Sequence, residues 1–203
     1  MHLGPAEGPA IPAAGQGIDP TTLTDRWTEL WPECAPVPTR LRAAYPDRWI
    51  RFRTLPEGRR HPASEEEYAA VLHRHNTVLD DLVTDGRVLV LTAAYSETLR
   101  ADAAPHPGDT YWTSVLLTDE RTGYEIHQHQ YARLAPWSPG CLDPLLRTVA
   151  TDLAATVLVA DAELRWLCHP FAGGMDVILP TPEHRDALGA RHPAWRSTRA
   201  TGL

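Results

Sequence analysis

The sequence contains no lysine: all 19 of its basic residues are arginine. Schiff-base chemistry and a lysine general base are excluded by that absence alone. Cysteine is nearly as scarce. Cys34, Cys141 and Cys168 are scattered, odd in number and at no zinc or redox spacing, so a disulfide framework is not expected and a reduced, cytoplasmic interior is. Apolar runs are short, none near the roughly 18 residues of a membrane span. The opening MHLGPAEGPA lacks the basic start and apolar run of a secretory signal.

What is present is ordinary for a soluble domain. The chain has 203 residues, of which 43% are hydrophobic and 22% charged, which argues against a disordered chain, a collagen or a coiled-coil rod. Residues 1–19, rich in Gly, Ala and Pro, read as a disordered tail; residues 20–203 read as one domain. The lysine-free, Ala-, Arg- and Pro-rich composition points to a G+C-rich bacterial genome. A net charge of −7 disfavours general nucleic-acid binding.

Periodicity supplies the elements. Pro20 opens a short helix over 20–31, and Pro32, Pro36 and Pro38 then predict an irregular connection. RWIRFRT (48–54) alternates as a strand. Ser64 with Glu67 forms a capping box ahead of the stripe Tyr68, Val71, Leu72, His75, Val78, Leu79, Leu82, which predicts a helix over 64–84. Strands are expected at 87–95, 156–160, 164–169 and 175–180, and a hairpin at 110–118 and 124–134. Helices are expected at 142–153 and after Thr181. The fold class is therefore α+β, a largely antiparallel sheet with about three flanking helices. Pairing order cannot be read from the pattern.

The stretch RWIRFRTLPEGRRHPASEEEYAAVLHRHNTVLDDL resembles an uncharacterised bacterial domain-of-unknown-function family. Its members carry a segment like RWVRFHSLPESKRY and then a helix containing RHNTVL. The block LRWLCHPFAGGMDVILPTPEHRDAL resembles the C-terminal part of the same family, so the likeness covers roughly residues 45–203. It implies a bacterial origin and no particular activity. Arg53 stands where that pattern has His, and Ala172 where it has an acid.

Two groups of residues carry possible chemistry. Residues 40–61 hold seven arginines and two acids, a basic island in an acidic chain. Arg51 and Arg53 share a strand face, and Arg59, Arg60 and His61 follow a Pro/Gly loop able to fold back over it. Converging guanidinium forks fit a carboxylate or phosphate; the competing reading is plain pairing with Glu65, Glu66 and Glu67, which contributes little. The second group is on one strand, where His127 and His129 share a face with Glu125 and Tyr131. Such a pair can chelate a metal only with a third ligand, for instance His169 or Asp176. No second spacing motif supports that, so neither metal nor cofactor is expected. The face then reads as a pocket wall with a histidine acid/base, or as a plain solvated surface. Asp176, a strand acid, needs an arginine, a metal or solvent. His75 reads as a buried structural residue, Gly173-Gly174 as a turn, and Cys168-His169 as a poor dyad, since strand neighbours face opposite ways.

These features favour a non-enzymatic bacterial binding protein, immunity- or inhibitor-like, that recognises a protein partner or a small anionic ligand and no membrane. Its ligand-binding set would be Arg51, Arg53, Arg59, Arg60, Tyr131 and Asp176. The alternative is a small enzyme acting on a carboxylated or phosphorylated metabolite, with Arg51 and Arg53 as clamp and His127 or His129 as acid/base.

Overall fold

The computed structural model describes residues 18–56, 59–99, 104, 106–153 and 156–197. Residues 1–17, which make up most of the expected tail, and the Gly-Leu terminus lie outside the described residues. In chain order the elements are α1 (Pro20–Leu30), α2 (Pro38–Ala44), β1 (Trp49–Arg53), α3 (Glu65–Leu82), β2 (Arg87–Ser96) and β3 (Thr110–Thr118). They continue with β4 (Glu125–Pro136), α4 (Asp143–Ala150), β5 (Val157–Ala160), β6 (Leu167–Phe171), β7 (Gly174–Ile178) and α5 (Pro182–Arg191).

The class is α+β, with five α-helices among the described residues rather than about three. Two differences from expectation have local causes. Pro38 starts α2 instead of extending the loop, because proline at the first helical position gives up only an N–H that has no helical partner anyway. β6 begins at Leu167, not 164, because Leu164 has φ +57° and the Asp161 carboxylate accepts from Arg165 N in the preceding turn. The capping box forms with a shift of one: Ser64 Oγ accepts from Glu67 N, and the Glu67 carboxylate accepts from Ala63 N at 2.7 Å. At the start of α1, Asp19 belongs to the fold, accepting from the backbone of Thr21 and Thr22.

Seven strands form one sheet in the order β1-β7-β6-β5-β2-β4-β3, and every neighbouring pair is antiparallel. Strand alternation gives the sheet two covered faces. On one, α1 and α2 pack through Leu23, Trp27, Trp31 and Leu41 against Leu89, Leu91, Leu158, Leu167 and Ile178. On the other, α3, α4 and α5 pack through Val78, Leu79, Leu146 and Leu188 against Ile50, Phe52, Val90, Val159, Met175 and Val177. A bulge at Tyr111/Thr113 accompanies Trp112 on the first face, 5.6 Å from Trp27 and donating to Thr24 Oγ1. The outer edge of β1 is closed by the chain's last described residues, with Arg53 N donating to Trp195 O and Ser197 N to Arg51 O. Among the described residues, no helix is long and apolar enough to cross a membrane.

Candidate functional site: an arginine cleft

Opposite each other in the register stand Arg51 of β1, Asp176 of β7 and His169 of β6. The three side chains share the α1/α2 face, the same face as Ile178 and Leu167, and lie beyond the point where apolar packing ends. A fork-to-fork pair joins the first two. Arg51 Nε donates to Asp176 Oδ1 at 2.6 Å and Arg51 Nη2 to Oδ2 at 2.7 Å. Both side chains are about nine-tenths buried, with exposures of 10% and 7%. The Arg51 guanidinium also lies 4.6 Å from the Phe171 ring centre and 5.6 Å from that of Trp49, a setting that suits its weakly hydrated plane.

A cleft of about 440 Å³ opens above this floor, within the size range of roughly 300–1,000 Å³ typical of small-molecule sites. β1 contributes Arg51 and Arg53, α2 contributes Thr39 and Arg42, and the loop after β1 contributes Arg60. His169, Phe171, Ala172, Gly173 and Asp176 complete the wall from the β6–β7 hairpin. Arg53 meets only Ser197 Oγ, at 3.4 Å, and pairs with no carboxylate among the described residues. Arg60 has only a loose contact with Asp152 at 3.6 Å, both side chains being well exposed.

The two glycines of the hairpin serve different needs. Gly173 has φ +93°, and a Cβ there would sit 3.0 Å from Arg60 Cα and 3.1 Å from Arg59 O. Gly174 would place a Cβ 2.6 Å from Phe52 O. The hairpin is therefore also the seat on which the Arg59–Arg60 segment rests, with Thr54 N donating to Gly173 O.

His169 is pushed down from 6.5 to about 4, first by burial; Asp176 pulls upward and Arg51 downward. It is neutral at physiological pH, with Nδ1 buried and without a hydrogen-bond partner among the described residues. Cys168, next to it, faces the opposite core, and burial pushes its thiol well above the ordinary value. That position cannot supply a thiolate.

A family model described as "Domain of unknown function (DUF3885)" matches residues 37–200. The chain belongs to that family. No curated protein and no solved structure matches it. In this DUF3885 chain, Arg53 and Ala172, the two positions set apart in the resemblance, both line the cleft.

The sequence-predicted residues divide between the cleft and other places. Arg51, Arg53, Arg60 and Asp176 are brought together. Arg59 turns away to Glu67 at 2.6 Å, as simple pairing predicts, whereas Glu65 is taken by Arg147 and not by the island. His127, His129 and Tyr131 lie on the α3/α4 face, opposite the arginines, so the clamp and these histidines do not form one site. Nor is that face solvated, as the plain reading expected. His129 and Tyr131 are buried, His129 Nε2 sits 2.8 Å from Ser96 Oγ and 3.2 Å from Thr98 O, and Tyr131 meets Tyr111 edge-on. His127 stacks on His129 at 6.0 Å. Among the described residues, no group of three His, Cys, Asp or Glu side chains is placed to hold a metal. His75 is buried in α3, its Nδ1 bonded to Val71 O.

Among the lining residues that escaped the sequence reading, two are basic side chains. Arg42 rides on the unpredicted α2. His169 carries a readable signal only in retrospect, since its face parity matches Asp176 once β6 and β7 are paired.

Proposed function

We propose that this protein binds a small anion, a carboxylate or a phosphate, in the arginine cleft, and acts as a binding protein rather than a catalyst. One observation carries the reading: four arginines from three segments line one cleft in which, among the described residues, the one lining carboxylate, Asp176, is already held by Arg51. The lining favours binding over catalysis. Among the described residues, its two titratable groups other than arginine are a carboxylate locked in a fork and a histidine too weakly basic to take a proton near neutral pH. The wider expectation of a protein partner rests on charge and size alone. A bacterial, cytoplasmic setting belongs to the same proposal, on composition and on three cysteines that are all free.

Thermal melting at matched ionic strength tests the reading. Sulfate, phosphate or succinate should raise the melting temperature of the parent, because an anion that binds only the native state stabilises it by mass action. The rise should vanish in Arg53→Gln, whose side chain has no buried partner to lose. Equal responses from parent and variant across the anions would remove the cleft from consideration.

A further inference from the structure

We infer that β3 is a docking edge for a second copy of this chain, the two β3 strands pairing antiparallel about Leu116 so that two seven-stranded sheets run on as one. The inference is independent of the arginine cleft, which lies at the other end of the sheet.

The two edges of the sheet are finished differently. β1 is closed by the chain itself, with Arg53 N donating to Trp195 O and Ser197 N to Arg51 O. Among the described residues, the backbone of β3 bonds to β4 alone. Alternate residues of β3 therefore turn their N–H and C=O groups outward, as a template for another strand. Such edges are usually blunted by a charged side chain or a proline. β3 has neither: its nine residues, TYWTSVLLT, include no charge, proline or glycine. Tyr111 and Leu116 on β3, and Tyr124 just before β4, are exposed beside it.

A strand of the same kind fits this edge. A twofold axis normal to the sheet lays β3 against β3 antiparallel and pairs each residue with one of the same face. The bulge at Tyr111/Thr113 and the contacts of α1 with Trp112 leave Thr113–Thr118 as the regular stretch. An axis at Leu116 sets Leu116 against its own copy, Val115 against the other copy's Leu117, and Ser114 against Thr118. Apolar then meets apolar and hydroxyl meets hydroxyl. An axis at Val115 would instead set Leu116 against Ser114 and Leu117 against Thr113. Net charge of −7 opposes self-association in general, but the acids that bracket β3 are engaged within the chain. Arg133 and Thr92 donate to Asp109, and the backbone of Arg121 and Thr122 donates to Asp119. The chain's own sequence 1–17 suits the edge poorly, since Pro5, Pro9 and Pro12 have no backbone N–H to donate.

Analytical ultracentrifugation of the full chain over a wide range of concentration tests the pairing, with hydrogen–deuterium exchange alongside. A monomer–dimer equilibrium is expected, and exchange in 113–118 should slow as the dimer forms. Leu116→Lys should weaken the dimer at least tenfold, because like charges then stand directly opposite each other. Leu116 is exposed, so the variant should melt within a few degrees of the parent. Leu153→Lys makes the same change of net charge at an exposed site off the sheet and should leave the dimer intact. Mixing Leu116→Lys with Leu116→Glu should restore association as a heterodimer. A monomer at every concentration, or a dimer that Leu116→Lys retains, would overturn the docking edge. Loss of the dimer without rescue by the mixture would overturn the pairing about Leu116. Exchange in 113–118 that is slow throughout and quickens on deletion of residues 2–17 would place the chain's own segment on the edge and overturn the second copy.

Discussion

Arg51 and Asp176 show how far a residue's energetic weight depends on what covers it. An exposed arginine–carboxylate pair contributes roughly 0–1 kcal/mol, and on that footing replacing Arg51 would cost little. The pair is instead buried beside Phe171 and Trp49 with two parallel bonds. Removing one partner strands the other charge, which costs on the order of 3–5 kcal/mol. Urea unfolding of Arg51→Gln or Asp176→Asn should show a loss of that size. The double variant Arg51→Met, Asp176→Leu should recover part of it, since neither member of the pair is left as a lone buried charge. Near-parent stability in Arg51→Gln would mean that the pair is not buried in solution.

At the scale of elements, the β6–β7 hairpin and the loop after β1 form one unit. Gly173 permits the left-handed turn and leaves room for the backbone of Arg59 and Arg60. Gly173→Ala should cost about 1–3 kcal/mol, the usual range for a non-glycine residue held in such a conformation. Because the displaced neighbour is the Arg60 backbone, the variant should also lose part of the anion-induced rise in melting temperature. A full rise in a destabilised Gly173→Ala protein would show that the turn does not position Arg60.

Much of this layer was legible in the sequence. The Ser64 cap and its apolar stripe marked α3, and the alternation of Ile50 and Phe52 against Arg51 and Arg53 marked β1. Alternation fixes which residues share a face but not which strands are neighbours. So the Arg51–Asp176–His169 row stayed hidden, although each residue's own parity was readable. Pro38 misled for a related reason, because the same ring that breaks a helix interior starts a helix well. The burial of His129 and Tyr131 was also beyond reach, since it depends on Thr98 and Tyr111 arriving from other segments.

For the whole molecule, two of the buried histidines, His75 and His169, tie stability to pH. Burial pushes His75 and His169 from 6.5 down to about 4. Between those values the unfolded chain holds more protons than the folded one, so stability falls as pH drops from about 6.5 towards 4 and is unaffected by these groups above that window. At about 1.4 kcal/mol per pH unit, each histidine accounts for roughly 3 kcal/mol by pH 4. Denaturant titrations at a series of pH values should show this slope, and His169→Gln should flatten it by about half. An unchanged slope would mean that His169 is protonated in the folded protein.

The pairing of β1 with β7 also sets a timetable. Arg51 and Asp176 are 125 positions apart, and among the described residues the strand that carries two of the cleft arginines has β7 as its one strand neighbour in the sheet. During synthesis, β1 must wait until the residues of β7, 125 positions further on, have left the ribosome before its partner exists. Sheets built from such distant pairings belong to the slow-folding class, milliseconds to seconds. The Arg51–Asp176 floor of the cleft therefore assembles only once β7 has been made and has found β1.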